Sequence, residues 1–236
     1  MSVDHAVVSE QEWLRARREF LAREKEFTRA RDEFSEARRA LPWVLVEKDY
    51  TFSGAEGEVN LSGLFGACSQ LLVYHFMFHP DWNEACKSCS FWADSYNAFH
   101  RHLLQRDVRL VAVSRAPREK LASFAERMDW IFPWYSSEGT DFNYDFNVSF
   151  TEAERASGSV DYNFGPSSFT PEEAPGLSVF YRDEAGDVYR TYSCYSRGLD
   201  MLNGAYHHLD LVPHGRAEEG LPFPMAWLNF QDSYDE

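Results

Sequence analysis

The chain has 236 residues, 44% of them hydrophobic and 16% aromatic, which is enough to bury a sizeable core in one large domain with or without an extension. Its 38 acidic residues against 23 basic give a formal net charge of -15, which repels phosphate backbones and anionic lipid surfaces and sets nucleic acid and membranes aside as partners. The beginning of the chain does not read as a basic, apolar leader, and no apolar run approaches the roughly 20 residues needed to span a bilayer, so a cytoplasmic protein is expected.

Residues 1–41 read as an N-terminal helical extension. From Ser9 to Arg39 there is neither Gly nor Pro, and Ser9-x-x-Glu12 has the form of a capping box that satisfies the first free amides. Trp13, Phe20, Phe27, Phe34 and Leu41 recur every seven residues and make one apolar stripe. Packing of this stripe on the body is expected rather than homodimerisation, because Arg17, Glu24, Arg31 and Arg38 stand where a coiled coil would want apolar partners. The segment is charge-balanced, with nine acidic and nine basic residues up to Ala40, so the excess negative charge belongs to the remainder.

Residues 42–236 read as a single α/β domain. A strand is expected over Trp43 to Phe52, a hairpin turn over Ser53 to Glu58, and a central strand covered on both faces over Leu71 to Phe78. Helices are expected over Ser90 to Arg106 and Arg118 to Asp129, with a buried strand, Arg109 to Ser114, between them. This alternation implies parallel pairing. Glu138 to Pro175, rich in Gly, Asn, Ser and Pro, reads as a long excursion inserted ahead of a hairpin formed by Leu177 to Tyr181 and Val188 to Tyr192. A helix from Gly198 to Leu209 and an acidic tail close the chain.

Four cysteines in a chain of this length are too few for a disulfide scaffold, and Cys86-Lys87-Ser88-Cys89 is the pair with chemistry in its spacing. A strand, a short loop, Cys-x-x-Cys and then a helix place the first sulfur among free amides that favour thiolate. Cys86 is therefore the expected nucleophile, Cys89 the thiol that resolves the mixed disulfide, and Lys87 a cation that stabilises the charge. A rival reading uses Cys86, Cys89, His79 and His75, within fifteen residues, as ligands for copper or zinc. A third is a non-catalytic ligand-binding module, with Trp82, Trp92, Trp134, Tyr135 and the long excursion forming a pocket. Cys68 is expected to be inert packing; Cys194 is expected in the core, with a third exchanging thiol as its alternative.

The stretches YHFMFHPDW and CKSCSFWADSY, then VAVSRAPREKL, FPWYSSEGTDFNYDF, GLSVFYRDEAGDVYRTYSCYSRG and the leading EWLRARREFLAREKEFTRARDEF resemble a bacterial thioredoxin-like family. That family is known mainly as a domain of unknown function and is labelled as dithiol-disulfide oxidoreductases. The resemblance implies a thioredoxin-like fold with Cys86 and Cys89 at the redox position, protein or small-molecule thiols and disulfides as partners, and no required cofactor. The chain departs from thioredoxins in having Lys87-Ser88 between the cysteines and Gly176-Leu177-Ser178 where a cis-proline leads into the hairpin strand. It departs from peroxiredoxins in having Asn83 three residues before Cys86, where those enzymes carry Thr or Ser.

Overall fold

The structure is a computed structural model that describes residues 5–168 and 171–234. The last two residues of the acidic tail, and 169–170 of the long excursion, lie outside the described residues. The chain forms two compact units, Met1–Pro42 and Trp43–Glu236.

The first unit is one helix, α1 (Glu10–Arg39). Ser9 Oγ accepts from the Glu12 amide at 3.3 Å and the Glu12 carboxylate accepts from the Ser9 amide at 3.0 Å, which is the reciprocal cap that the sequence encodes. None of its residues is buried, and Trp13, Phe20, Phe27 and Phe34 are each more than half exposed.

The second unit is built on an eight-stranded mixed sheet. Its elements in chain order are β1 (Val44–Leu45), β2 (Thr51–Gly54), β3 (Gly57–Asn60), β4 (Gln70–His75), α2 (Lys87–Ala93), α3 (Tyr96–Leu104), β5 (Val108–Ser114), α4 (Arg118–Arg127), β6 (Trp134–Ser136), α5 (Phe142–Asp145), α6 (Glu152–Ala156), β7 (Val160–Asp161), β8 (Pro166–Ser167), β9 (Gly176–Arg182), β10 (Val188–Tyr195) and α7 (Gly204–Leu209). The sheet order is β1-β10-β9-β4-β5-β6-β2-β3, and β7 pairs with β8 apart from it. Strands β4, β5 and β6 run parallel, as the strand–helix alternation implies, while β9 lies antiparallel to β4 and β10 antiparallel to β9. A parallel β–α–β unit followed by an antiparallel hairpin against its first strand, with a helix after it, is the thioredoxin-like arrangement, here carrying the long helix and the excursion as additions.

The two faces of β4 belong to two different cores, because side chains alternate along a strand. Tyr74 and Phe76 join Leu110, Ala112, Leu177 and the helices in one cluster. Leu71 and Val73 join Val111, Val113, Phe180, Phe142 and Phe146 in the other. Several expected elements come out shorter. The strand expected over Trp43 to Phe52 is two strands, β1 and β2, that end up near opposite edges of the sheet. The helix expected from Ser90 to Arg106 breaks between Ala93 and Tyr96, where the Asp94 carboxylate accepts the Trp130 indole at 3.0 Å and the Ser95 hydroxyl donates to the Trp92 carbonyl at 2.8 Å. The C-terminal helix is a 3₁₀ segment, Ser196–Leu202, followed by the short α7.

Candidate functional site

The loop leaving β4 folds back on itself before reaching the cysteines, and Met77 is its pivot. The Met77 carbonyl accepts from the Cys86 amide at 3.2 Å, and the Met77 amide donates to Cys89 Sγ at 3.4 Å. Lys120 on α4 donates to the carbonyls of Pro80 at 2.5 Å and Trp82 at 3.1 Å, and the Trp82 indole donates to Glu172 at 2.9 Å. Next to Glu172, Glu173 is 1% exposed and takes the Ser149 hydroxyl at 2.5 Å and Arg115 at 2.9 Å. Burial pushes the Glu173 carboxyl up to about 7 in spite of both partners.

Cys86 is the N-cap of α2 and half-buried, whereas Cys89, one turn on, is 1% exposed. None of the four cysteines is in a disulfide. The Cys89 thiol donates to Cys86 and holds it below the ordinary thiol range against the opposing cost of burial. The amides of Cys89 and Ser88 and the Ser88 hydroxyl act in the same direction. Burial, and the sharing of its proton with Cys86, push Cys89 well above that range, while the Met77 amide and then the Tyr74 hydroxyl pull the other way. Two identical side chains are thus driven apart, one toward thiolate and the other toward thiol.

Lys87, the expected stabiliser of the charge, is engaged with the C-terminal segment. Its ammonium donates to Asn229 Oδ1 at 2.9 Å and lies 5.7 Å from the centroid of the Phe230 ring, both in the C-terminal segment. The side-chain hydroxyl that favours the Cys86 thiolate is that of Ser88, to which only the general value of hydroxyls near thiolates could have pointed.

The four ligands of the metal reading are not brought together. His75 follows Tyr74 on β4 and so faces the opposite core, where it packs 5.5 and 5.6 Å from the Phe142 and Phe146 ring centroids and shares a 2.9 Å hydrogen bond with Ser178. Burial lowers its pKa to about 3, so it stays neutral. His79 accepts the Asp81 amide at 3.2 Å and stands by Trp82. Among the described residues, no three His, Cys, Asp or Glu side chains converge as a metal-binding group.

The remaining cysteines divide as well. Cys68 is buried ahead of β4, at the far end of that strand from the pair. Cys194 is buried on the dithiol's side of the sheet, in register with Leu177, which pairs with Tyr74.

A cleft of about 1080 Å³ opens beside the pair, and Cys89, not Cys86, is on its wall. Trp92 lines it, as the pocket reading expects, and the excursion contributes Tyr162 and Pro175. Trp134 is elsewhere, packed on Phe76 with its indole on Ser114, and Tyr135 packs under Gly54. Pro175 precedes β9 through a trans bond, since no described peptide bond is cis.

The thioredoxin-like domain thus carries a half-buried cysteine hydrogen-bonded to a buried partner thiol. The chain belongs to the family described as "Bacterial protein of unknown function (DUF899)", whose model matches residues 2–234. No curated protein matches it. Solved structures similar to it include peroxidoxin BcpB from Mycobacterium tuberculosis, 15% identical with a TM-score of 0.46 over 69% of this chain and 93% of that one. Peroxiredoxin Q from Xanthomonas campestris is 14% identical with a TM-score of 0.42, over 71% of this chain and 96% of that one. The yeast mitochondrial 1-Cys peroxiredoxin is 14% identical with a TM-score of 0.41, over 69% and 74%. No described helix is long and apolar enough to cross a membrane.

Proposed function

We propose that this protein is a thiol–disulfide oxidoreductase in which Cys86 attacks and Cys89 resolves. The observation that carries the reading is the divergence of the two sulfurs, Cys86 favoured as thiolate by the Cys89 thiol and by Ser88, and Cys89 held protonated by burial. The Cys86 thiolate attacks one sulfur of a disulfide, R–S–S–R, whose S–S bond breaks and whose second sulfur leaves as thiolate. Cys89 gives its proton to that leaving group and attacks Cys86 in the mixed disulfide. The second thiol departs and an internal Cys86–Cys89 disulfide remains; run backwards, the same steps oxidise a dithiol partner.

The two sulfurs need no cofactor for these steps, and thiols or disulfides, small or protein-borne, are the partners. A reducing compartment suits the reaction, since four cysteines in 236 residues fit thiol chemistry better than a disulfide scaffold. The test is alkylation of the reduced protein by iodoacetamide across pH, with each cysteine followed by mass spectrometry. Cys86 is expected to react at a pH where a free cysteine is still protonated, and Cys89 to stay protected. Equal reactivity of Cys86 and free cysteine would refute the reading.

A further inference from the structure

The cleft beside the pair is lined by apolar and aromatic side chains together with charged ones that pair among themselves. Met77, Trp92 and Leu199 form its inner wall, with Cys89 and Ser88 among them, and Phe223 and Met225 of the C-terminal segment close one side. Also in the lining, Arg216 holds Asp210 with two nitrogens at 2.9 Å, reaches Asp200 at 3.0 Å and lies 3.9 Å from the Tyr206 ring centroid. Arg197 also pairs with Asp200, at 3.1 Å. Glu218 accepts from the Tyr206 hydroxyl, the Met225 amide and the Trp227 indole at 2.7 to 2.9 Å. Arg216 is therefore committed to two carboxylates, while Arg197, whose side chain is 85% exposed, only shares one Asp200 oxygen with it. Asp200, Asp210 and Glu218 against Arg197 and Arg216 leave the lining with an excess of one negative charge, in a chain that carries -15. A carboxylate-bearing ligand would find there no buried, unpaired cation to replace its water, only the solvent-exposed Arg197 at its pair with Asp200.

We infer that the dithiol's substrate is a low-molecular-weight disulfide whose neutral, apolar and preferably aromatic body lies in this cleft, with its sulfur at the edge where Cys86, itself off the wall, is hydrogen-bonded to the wall residue Cys89. The inference rests on the dithiol reading above. At about 1080 Å³ the cleft is at the upper end of the size range of small-molecule sites. Its apolar aromatic walls discriminate by burial, and the acidic excess turns away anionic disulfides such as glutathione disulfide. The electron balance is that of simple exchange: the Cys86 thiolate and the Cys89 thiol lose two electrons and one proton to become a disulfide, and R–S–S–R gains them to become one R–SH and one R–S⁻.

The test uses the reduced full chain and two probes, dithiodipyridine, which is neutral and aromatic, and glutathione disulfide, which is anionic. The variant is Gly165→Trp, placed on the cleft wall where an added Cβ meets no atom within 4 Å. The wild type should oxidise with a rate that saturates in dithiodipyridine. Gly165→Trp should lower that probe's second-order rate about tenfold, a difference of about 1.4 kcal/mol, and leave the rate with glutathione disulfide unchanged. Phe223→Ala, at a wall residue that is 61% exposed and so dispensable to the core, should raise the half-saturating dithiodipyridine concentration and serves should the Trp variant misfold. If neither variant changes the dithiodipyridine rate, or both probes slow together, the cleft is not the substrate site, while oxidation of the pair by both probes would leave the dithiol reading intact. If neither probe oxidises the pair, the dithiol reading falls and this one with it.

Discussion

Replacing Glu173 with Gln should change how stability depends on pH, by an amount that follows from the burial of one carboxyl. Glu173 is 1% exposed and its pKa is raised to about 7 from an ordinary value of 4.5. Between those two values the folded protein binds a proton that the unfolded chain has released, so stability falls as pH rises through the window. The gap of about 2.5 units corresponds to about 3 kcal/mol between pH 4.5 and pH 8. Asp94, whose pKa burial raises to about 6, loses stability in the same direction, but it titrates in both proteins and cancels from the comparison. Urea unfolding of the wild type and Glu173→Gln at pH 5 and pH 8 measures the term. The two should be of similar stability at pH 5, and the variant should gain about 2.5 kcal/mol relative to the wild type by pH 8. A difference that does not change with pH would show that Glu173 is ionised throughout and that Arg115 fully compensates for its burial.

Other outcomes follow from the site itself. Ser88→Ala removes a donor to the Cys86 sulfur; at a half-exposed site that bond is worth about 1 kcal/mol, so alkylation of Cys86 at pH 7 should slow about fivefold. Lys87→Ala, whose ammonium is engaged with Asn229, should leave that rate within about twofold, and a loss as large as that of Ser88→Ala would return the charge-stabilising role to Lys87. His75→Ala should cost about 2–4 kcal/mol in chemical denaturation, through a cavity and the loss of one of the two hydrogen bonds of the Ser178 hydroxyl, without altering Cys86 reactivity, because the sheet lies between them. A matched loss of thiol reactivity would refute the separation of the two faces. Cys89→Ser should let the mixed disulfide at Cys86 accumulate, visible as a stable adduct by mass spectrometry; rapid turnover in its absence would assign resolution to another thiol.

The sequence carried the parts of this arrangement that depend on local period and spacing. The Ser9–Glu12 box, the apolar run of β4, the parallel alternation and the hairpin around Gly186 follow from patterns a few residues long, and each stands in the structure within a few residues of its expected place. What the sequence could not supply was the choice of face. Alternation along β4 requires Tyr74 and His75 to point oppositely, but nothing local says which of them shares a core with α2. The same limit separates Lys87 from Ser88: both flank Cys86 in sequence, and only the path of the C-terminal segment past α2 draws the ammonium toward Asn229. The excursion held one legible signal, Thr151-x-x-Glu154, which forms a second reciprocal cap at the start of α6. Lys120, Trp82 and Glu172, which fix the loop before the cysteines, meet through contacts 38 to 90 residues apart and leave no trace in any short window.

The account turns on Cys86 and Cys89 forming one reversible redox couple. Equilibration of the purified protein across a series of dithiothreitol redox buffers, with the disulfide mapped by mass spectrometry after acid quenching, measures this directly. The expected result is a single two-electron transition, with a Cys86–Cys89 disulfide in the oxidised protein that disappears in either Cys→Ser variant. No disulfide at any poise, or one that joins Cys68 or Cys194 in place of this pair, would contradict it.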